Sequence, residues 1–179
     1  AVDYVVVGEG EHVLPPLAAA LARGATPRED AASDYTRSLL WKGKTEYECA
    51  SVSDLDALPF PPYGPFPMER YGGASPYGRM LSVLTSRGCP HGCTFCIHSA
   101  RDARSAWRAM SAERTVDLLF ALAADLQVEH FHIQDDNFFV NTARVEEIVE
   151  LLMERQPSFT WTLGGAHVGH LNNYSAQFF

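Results

Sequence analysis

The stretch "RMLSVLTSRGCPHGCTFCIH", Arg79 to His98, joins a short apolar run to a loop holding three of the chain's four cysteines. "RMLSVLTS" (Arg79 to Ser86) reads as a strand, and the theme repeats after the loop. "SAERTVDLLFALAADL" is an amphipathic helix capped by Ser111, "VEHFHIQ" (Val128 to Gln134) a second strand, "NTARVEEIVELLMERQ" a second helix capped by Asn141, and "FTWTL" (Phe159 to Leu163) a third strand. Strand alternating with helix in ~30-residue units predicts an α/β fold with a parallel sheet and any active site at the carboxyl ends of its strands. The cysteines and the Asp135-Asp136 pair both stand at such ends. Three units do not close a barrel, so residues 79–179 read as the first part of a (β/α) barrel, with a truncated carboxyl terminus expected.

Working back toward the amino terminus, "DLDALPFPPYGPFP" carries five prolines between Pro59 and Pro67 and predicts an extended, stiff connector. Before it, Tyr35 to Ala50 alternates around "WKGKT", which predicts two strands joined near Lys42 and Gly43. The opening "VDYVVVGEG" reads as a buried strand turning at Gly8 and Gly10 into a helix over roughly Glu11 to Ala22. Its "GEGE" reads as a strand-helix turn and not as a phosphate loop, because two acidic residues repel phosphate. These pieces are too small to stand alone, so neighbouring sequence is expected before Ala1.

The chain has 179 residues, 46% of them hydrophobic, enough for a sizeable core. Fourteen Lys and Arg against twenty-two Asp and Glu give a net charge of -8. Without a basic run to neutralise phosphates, a nucleic-acid substrate is disfavoured. No apolar run approaches a membrane span and no signal peptide is visible, so the expected location is cytoplasmic. In a reducing compartment, three clustered cysteines point to thiolate ligands rather than disulfides.

Cys89, Cys93 and Cys96 are spaced C-x3-C-x2-C, and Gly88, Pro90 and Gly92 give the loop the tight backbone it needs to fold thiolates around one centre. Two metals compete. A structural zinc wants four ligands, and His91 or His98 could complete a Cys3His site. An iron-sulfur cluster normally takes four cysteines, so three leave one iron open to a small molecule. The strand-end position and the single loop favour the cluster. Cys49 reads as a packed thiol.

With its aromatic Phe95 just before the third cysteine, "SRGCPHGCTFC" resembles the signature of the radical S-adenosylmethionine (radical SAM) superfamily. Together with "VDYVVVGEGE", "LDALPFPPYGPFP" and "IQDDNFFVN", in that order and spacing, it resembles the subgroup with an amino-terminal cobalamin-binding domain. The resemblance covers nearly the whole chain. It implies that residues 1–34 are the C-terminal remnant of a Rossmann-like cobalamin-binding domain, 35–78 a hairpin and Pro-rich linker, and 79–179 the N-terminal part of the radical SAM barrel. Cobalamin itself would be held mostly by sequence upstream of Ala1.

The resemblance also implies site roles. Cys89, Cys93 and Cys96 would ligate a [4Fe-4S] cluster whose fourth iron binds S-adenosylmethionine, cleaved reductively to methionine and a 5'-deoxyadenosyl radical. Phe95 would lie beside the adenine. Asp135 and Asp136 stand where the family receives the cofactor's amino group; strand alternation predicts that only one of them touches it, the other use for the pair being backbone at the turn. The implied reaction is cobalamin-dependent methylation, cyclisation or rearrangement of a small molecule, with a reductant such as flavodoxin or ferredoxin. The rivals are a noncatalytic Cys3His zinc module and a methylthiotransferase, which would need a second cluster.

Other polar residues read more plainly. Arg101, Arg104 and Arg108 could meet the cofactor carboxylate, but arginines before a helix are more often solvated. His130 and His132 share one strand face and read as core or helix-facing packing. His167 and His170 have ligand-like spacing but lack a third partner in sequence, so a solvated role is expected. "GGAHVGHLNN" departs from the family, which commonly has an arginine and an aspartate just after the third strand.

Overall fold

The computed structural model describes residues 2–29, 33–70, 75–96, 107–175 and 178. The chain divides into two compact units, Ala1–Ser53 and Asp54–Phe179.

In the first unit, β1 (Tyr4–Val6) pairs antiparallel with β2 (Leu39–Trp41), Tyr4 opposite Trp41. The helix α1 (Leu14–Ala22) starts with prolines in its first turn, where missing N–H groups cost no intrahelical bond. Its Leu17 packs with Val13 and Leu39 in a small core. A four-residue helix α2 (Asp34–Arg37) precedes β2. At Gly8, φ is +92°, and a Cβ there would run into the Ala50 backbone. Glu9 accepts the Val52 amide at 2.6 Å, a structural use for the acidic turn.

The expected hairpin over 35–50 does not form. A turn is present at Gly43, φ +96°, but β2 pairs with β1, and the returning segment makes an isolated parallel bridge from Ala50 to Gly8. Residues 45–49 are exposed throughout, so the return arm buries no face that would stabilise strand pairing. Cys49 among them is exposed, not packed.

In the second unit, β3 (Met80–Val83), β6 (His130–Ile133) and β7 (Thr160–Leu163) form a parallel sheet in the order β3-β6-β7. Two short strands, β4 (Ser86–Arg87) and β5 (Arg108–Ala109), pair antiparallel apart from it. The connecting helices are α3 (Ala112–Leu126) and α4 (Thr142–Arg155), and α5 (Val168–Leu171) follows β7. Both long helices start as expected: Ser111 Oγ accepts the Arg114 amide and Asn141 Oδ1 accepts the Arg144 amide, each at 3.1 Å. Both end on a left-handed glutamine, Gln127 at φ 55° and Gln156 at φ 48°.

Phe131 and Ile133 of β6 join Val116 and Leu119 of α3 and Val145 and Ile148 of α4 in the main core. Because strand side chains alternate, His130 and His132 point to the opposite face, away from the helices. His130 is buried there, stacked on Tyr77 with ring centroids 4.4 Å apart and bonded to the Thr160 and Thr162 hydroxyls. Of the two expected packings, burial in the interior holds for His130, and the helix-facing placement does not. The Pro-rich stretch lies within the second unit: Phe60 and Tyr63 pack on its core, and the Arg114 guanidinium sits 3.7 Å from the Phe60 ring centroid.

Candidate functional site

The strand expected over Arg79 to Ser86 is cut short by a carboxylate. Parallel pairing of β3 with β6 stops at Val83, whose carbonyl takes the Gln134 amide. The next two donors go to Asp135: its Oδ1 accepts the Thr85 and Ser86 amides at 2.6 and 3.0 Å, and its Oδ2 accepts their hydroxyls at 2.7 and 2.6 Å. Asp135 is 2% exposed, and the cluster of donors explains how a carboxylate is tolerated there. Ser86 and Arg87 then pair with Arg108 and Ala109, which clasps the base of the cysteine loop.

Arg144 braces the same point from α4. Its Nε donates to the Met110 carbonyl at 2.6 Å, and its Nη2 to the Thr85 carbonyl, the Thr85 hydroxyl and the Thr115 hydroxyl. Burial pulls the guanidinium pKa down and the Asp135 carboxylate pulls it back up. Sequence reading passed over this residue. The signal was there: Arg144 lies four residues before Ile148, on the buried stripe of its helix, where an unpartnered charge would be costly.

On this base stand three thiols, Cys89, Cys93 and Cys96, each partly exposed and none in a disulfide. Gly88 has φ +82°, which a side chain would resist, and the Cys96 amide closes a turn on the Cys93 carbonyl at 2.9 Å. Phe95, at the tip of that turn, is 92% exposed. Of the two aspartates, Asp135 is occupied by Thr85 and Ser86, whereas Asp136 is exposed. Arg108 lies in the clasp. His98, Arg101 and Arg104 lie outside the described residues.

The family model for the radical SAM superfamily matches residues 83–173, about half of the chain, from the end of β3 through α5. The chain belongs to the radical SAM superfamily. Among curated proteins, it is 30% identical over 162 residues to an uncharacterized methyltransferase, PH0819, of Pyrococcus horikoshii, covering 90% of this chain and 34% of that protein. It is 31% identical over 119 residues to the cytidylyl-2-hydroxyethylphosphonate methyltransferase of Streptomyces wedmorensis, covering 63% of this chain and 22% of that one. The chain thus spans about a third or less of the length of these relatives. Among solved structures, the apo form of the cobalamin-dependent S-adenosylmethionine radical enzyme OxsB matches with a TM-score of 0.63 at 22% identity, covering 89% of this chain and 22% of that one. That likeness shows the fold.

Radical SAM membership implies an iron-sulfur cluster and S-adenosylmethionine, and the residues fit them. Three thiols outside any disulfide occupy one loop at a strand's carboxyl end, held at its base by buried hydrogen bonds. Among the described residues, three ligand atoms drawn within 4.8 Å of one another belong to His91, His167 and His170.

That trio corrects the expectation that His167 and His170 lack a third partner. His91, from the middle of the cysteine motif, stacks on His167 with centroids 3.7 Å apart and brings its Nε2 to 2.8 Å from His170 Nε2. Desolvation by the packed rings, with repulsion from the other two imidazoles, holds the His91 pKa below its ordinary value. No helix among the described residues is long and apolar enough to cross a membrane.

Proposed function

We propose that this chain carries the cluster-binding and cofactor-binding segment of a cobalamin-dependent radical SAM enzyme that methylates an unactivated carbon of a small molecule. One observation carries the reading: Cys89, Cys93 and Cys96 place three thiols, none in a disulfide, on one loop whose root is fixed by Asp135. Methylation is favoured over cyclisation or rearrangement because the two curated relatives are both named methyltransferases. Cobalamin is supported by the fold likeness to OxsB together with the ordered flanking motifs, and would be held chiefly by other parts of the enzyme.

Cys89, Cys93 and Cys96 would hold a [4Fe-4S] cluster, which when bound supplies the electron that cleaves S-adenosylmethionine. The chain's own residues position and shield. Asp136, exposed beside the strand end, would receive the cofactor's ammonium group through a charge-assisted hydrogen bond. Phe95, whose ring is open to solvent, would cover the adenine. Asp135 would serve both by anchoring the loop. A flavodoxin or ferredoxin would supply the electron, and a reducing cytoplasm would keep the three thiols out of disulfides.

The test is anaerobic purification of the intact protein with iron and sulfide analysis. About four of each per chain, with a brown colour and reductant-dependent release of 5'-deoxyadenosine, is the expected result. A single zinc on the thiols and no iron would overturn the reading.

A further inference from the structure

The histidine trio stands outside the roles proposed for the cysteines. His91 and His170 are 79 residues apart in sequence, and the segment holding His167 and His170 follows β7 while His91 precedes α3. We propose that His91, His167 and His170 form a binding site for a divalent transition metal ion, zinc foremost, separate from the thiolate site.

Three observations support it. Imidazole nitrogen is the ligand common to zinc, copper, nickel and ferrous iron, and here three partly buried rings offer ligand atoms within 4.8 Å of one another. The His170 ring is also oriented as a ligand from behind. Its Nδ1 lies 3.0 Å from the Phe139 carbonyl, which only accepts, so Nδ1 carries the proton and the Nε2 lone pair faces the trio. Finally, the contact between His91 Nε2 and His170 Nε2 at 2.8 Å needs a proton between the two nitrogens. A metal ion takes over that bridging position, and the His91 Nε2 proton leaves to solvent or moves to Nδ1.

The geometry is within reach of small adjustments. Zinc-nitrogen bonds of 2.0–2.1 Å in a tetrahedron require ligand nitrogens about 3.3 Å apart, between the 2.8 Å and 4.8 Å found here. His167 accepts the Gly169 amide on Nδ1 at 3.1 Å, and metal binding would give up that bond by either route: Nδ1 turns to the ion, or Nε2 binds in the tautomer that protonates Nδ1. Three protein ligands leave the fourth position to water. The ion would tie the cysteine loop, through His91, to the segment after β7.

The inference goes beyond the cluster reading and does not rest on it. Its test uses the intact protein, purified anaerobically, washed with chelator and equilibrated with micromolar Zn²⁺, with zinc and iron counted on the same samples and zinc X-ray absorption recorded. Expected are about one zinc per chain with nitrogen or oxygen neighbours near 2.0 Å and no sulfur near 2.3 Å, and affinity at least tenfold weaker in His167→Ala and in His170→Ala. Sulfur in the zinc shell, affinity unchanged in both variants, or no zinc retained by the wild type would each overturn the proposal. Iron content reports on the thiols independently: zinc on the histidines without iron sinks only the cluster reading, and iron without zinc sinks only this one.

Discussion

Asp135 and Arg144 are joined through one hydroxyl, that of Thr85, which donates to Asp135 Oδ2 at 2.7 Å and accepts from Arg144 Nη2 at 2.9 Å. An anion at the end of β6 and a cation in the first turn of α4 thus grip the residue at which the chain leaves β3 for the cysteine loop. Removing one member leaves buried partners unsatisfied. Asp135→Ala should destabilise the second unit by about 3–5 kcal/mol, since two amides, two hydroxyls and a buried guanidinium lose their acceptor or counter-charge. Amide hydrogen exchange in β3 and β6 reads this directly, and unchanged protection there would refute it.

The arginine is not replaceable by another cation. Arg144→Lys should cost about 1–3 kcal/mol, because a single ammonium does not span the Met110 carbonyl, the Thr85 carbonyl and two hydroxyls that the planar fork reaches. Urea denaturation of the lysine variant with a wild-type midpoint would contradict this.

The two aspartates should separate cleanly. Asp136→Asn is expected to weaken S-adenosylmethionine binding by about 1.5–3 kcal/mol, some tenfold to hundredfold in Kd, while iron content and melting temperature hold. Asp135→Asn should lower melting temperature and iron retention together. Calorimetric titration with iron analysis distinguishes them, and equal behaviour of the pair would reject the division of labour.

Cys93→Ala should lose most of its iron and all reductive formation of 5'-deoxyadenosine. The fold should survive, since the thiol is partly exposed and outside the core. Deoxyadenosine release at the wild-type rate would remove Cys93 from the ligand set.

Gln127 and Gln156 hold left-handed backbone at the ends of α3 and α4, a conformation that costs a side-chain-bearing residue about 1 kcal/mol. Each glutamine to glycine change should raise stability by at most about 0.6 kcal/mol, after allowing for the unfolded chain's added freedom. A fall in the denaturation midpoint for both would count against this.

What the sequence made legible was local. Periodicity and capping residues such as Ser111 and Asn141 marked α3 and α4, and the cysteine spacing marked the loop. The features that stayed hidden join distant positions. Asp135 meets Ser86 across 49 residues, Arg144 meets Thr85 across 59, and His170 meets His91 across 79, and no short window of sequence contains such pairs. The hairpin expectation failed for a related reason: alternation around Lys42 was real, but the partner strand of β2 came from Tyr4–Val6, earlier in the chain.

The separation between Thr85 and its two partners also sets an order of events during synthesis. At bacterial-to-eukaryotic elongation rates of roughly 5–20 residues per second, the thiols emerge about 2 to 11 s before Arg144 does. Until then the root of their loop lacks its guanidinium, and for most of that interval its carboxylate as well. The nascent cysteines are therefore unsheltered at first, and a scaffold fit to receive iron exists only once α4 has left the ribosome.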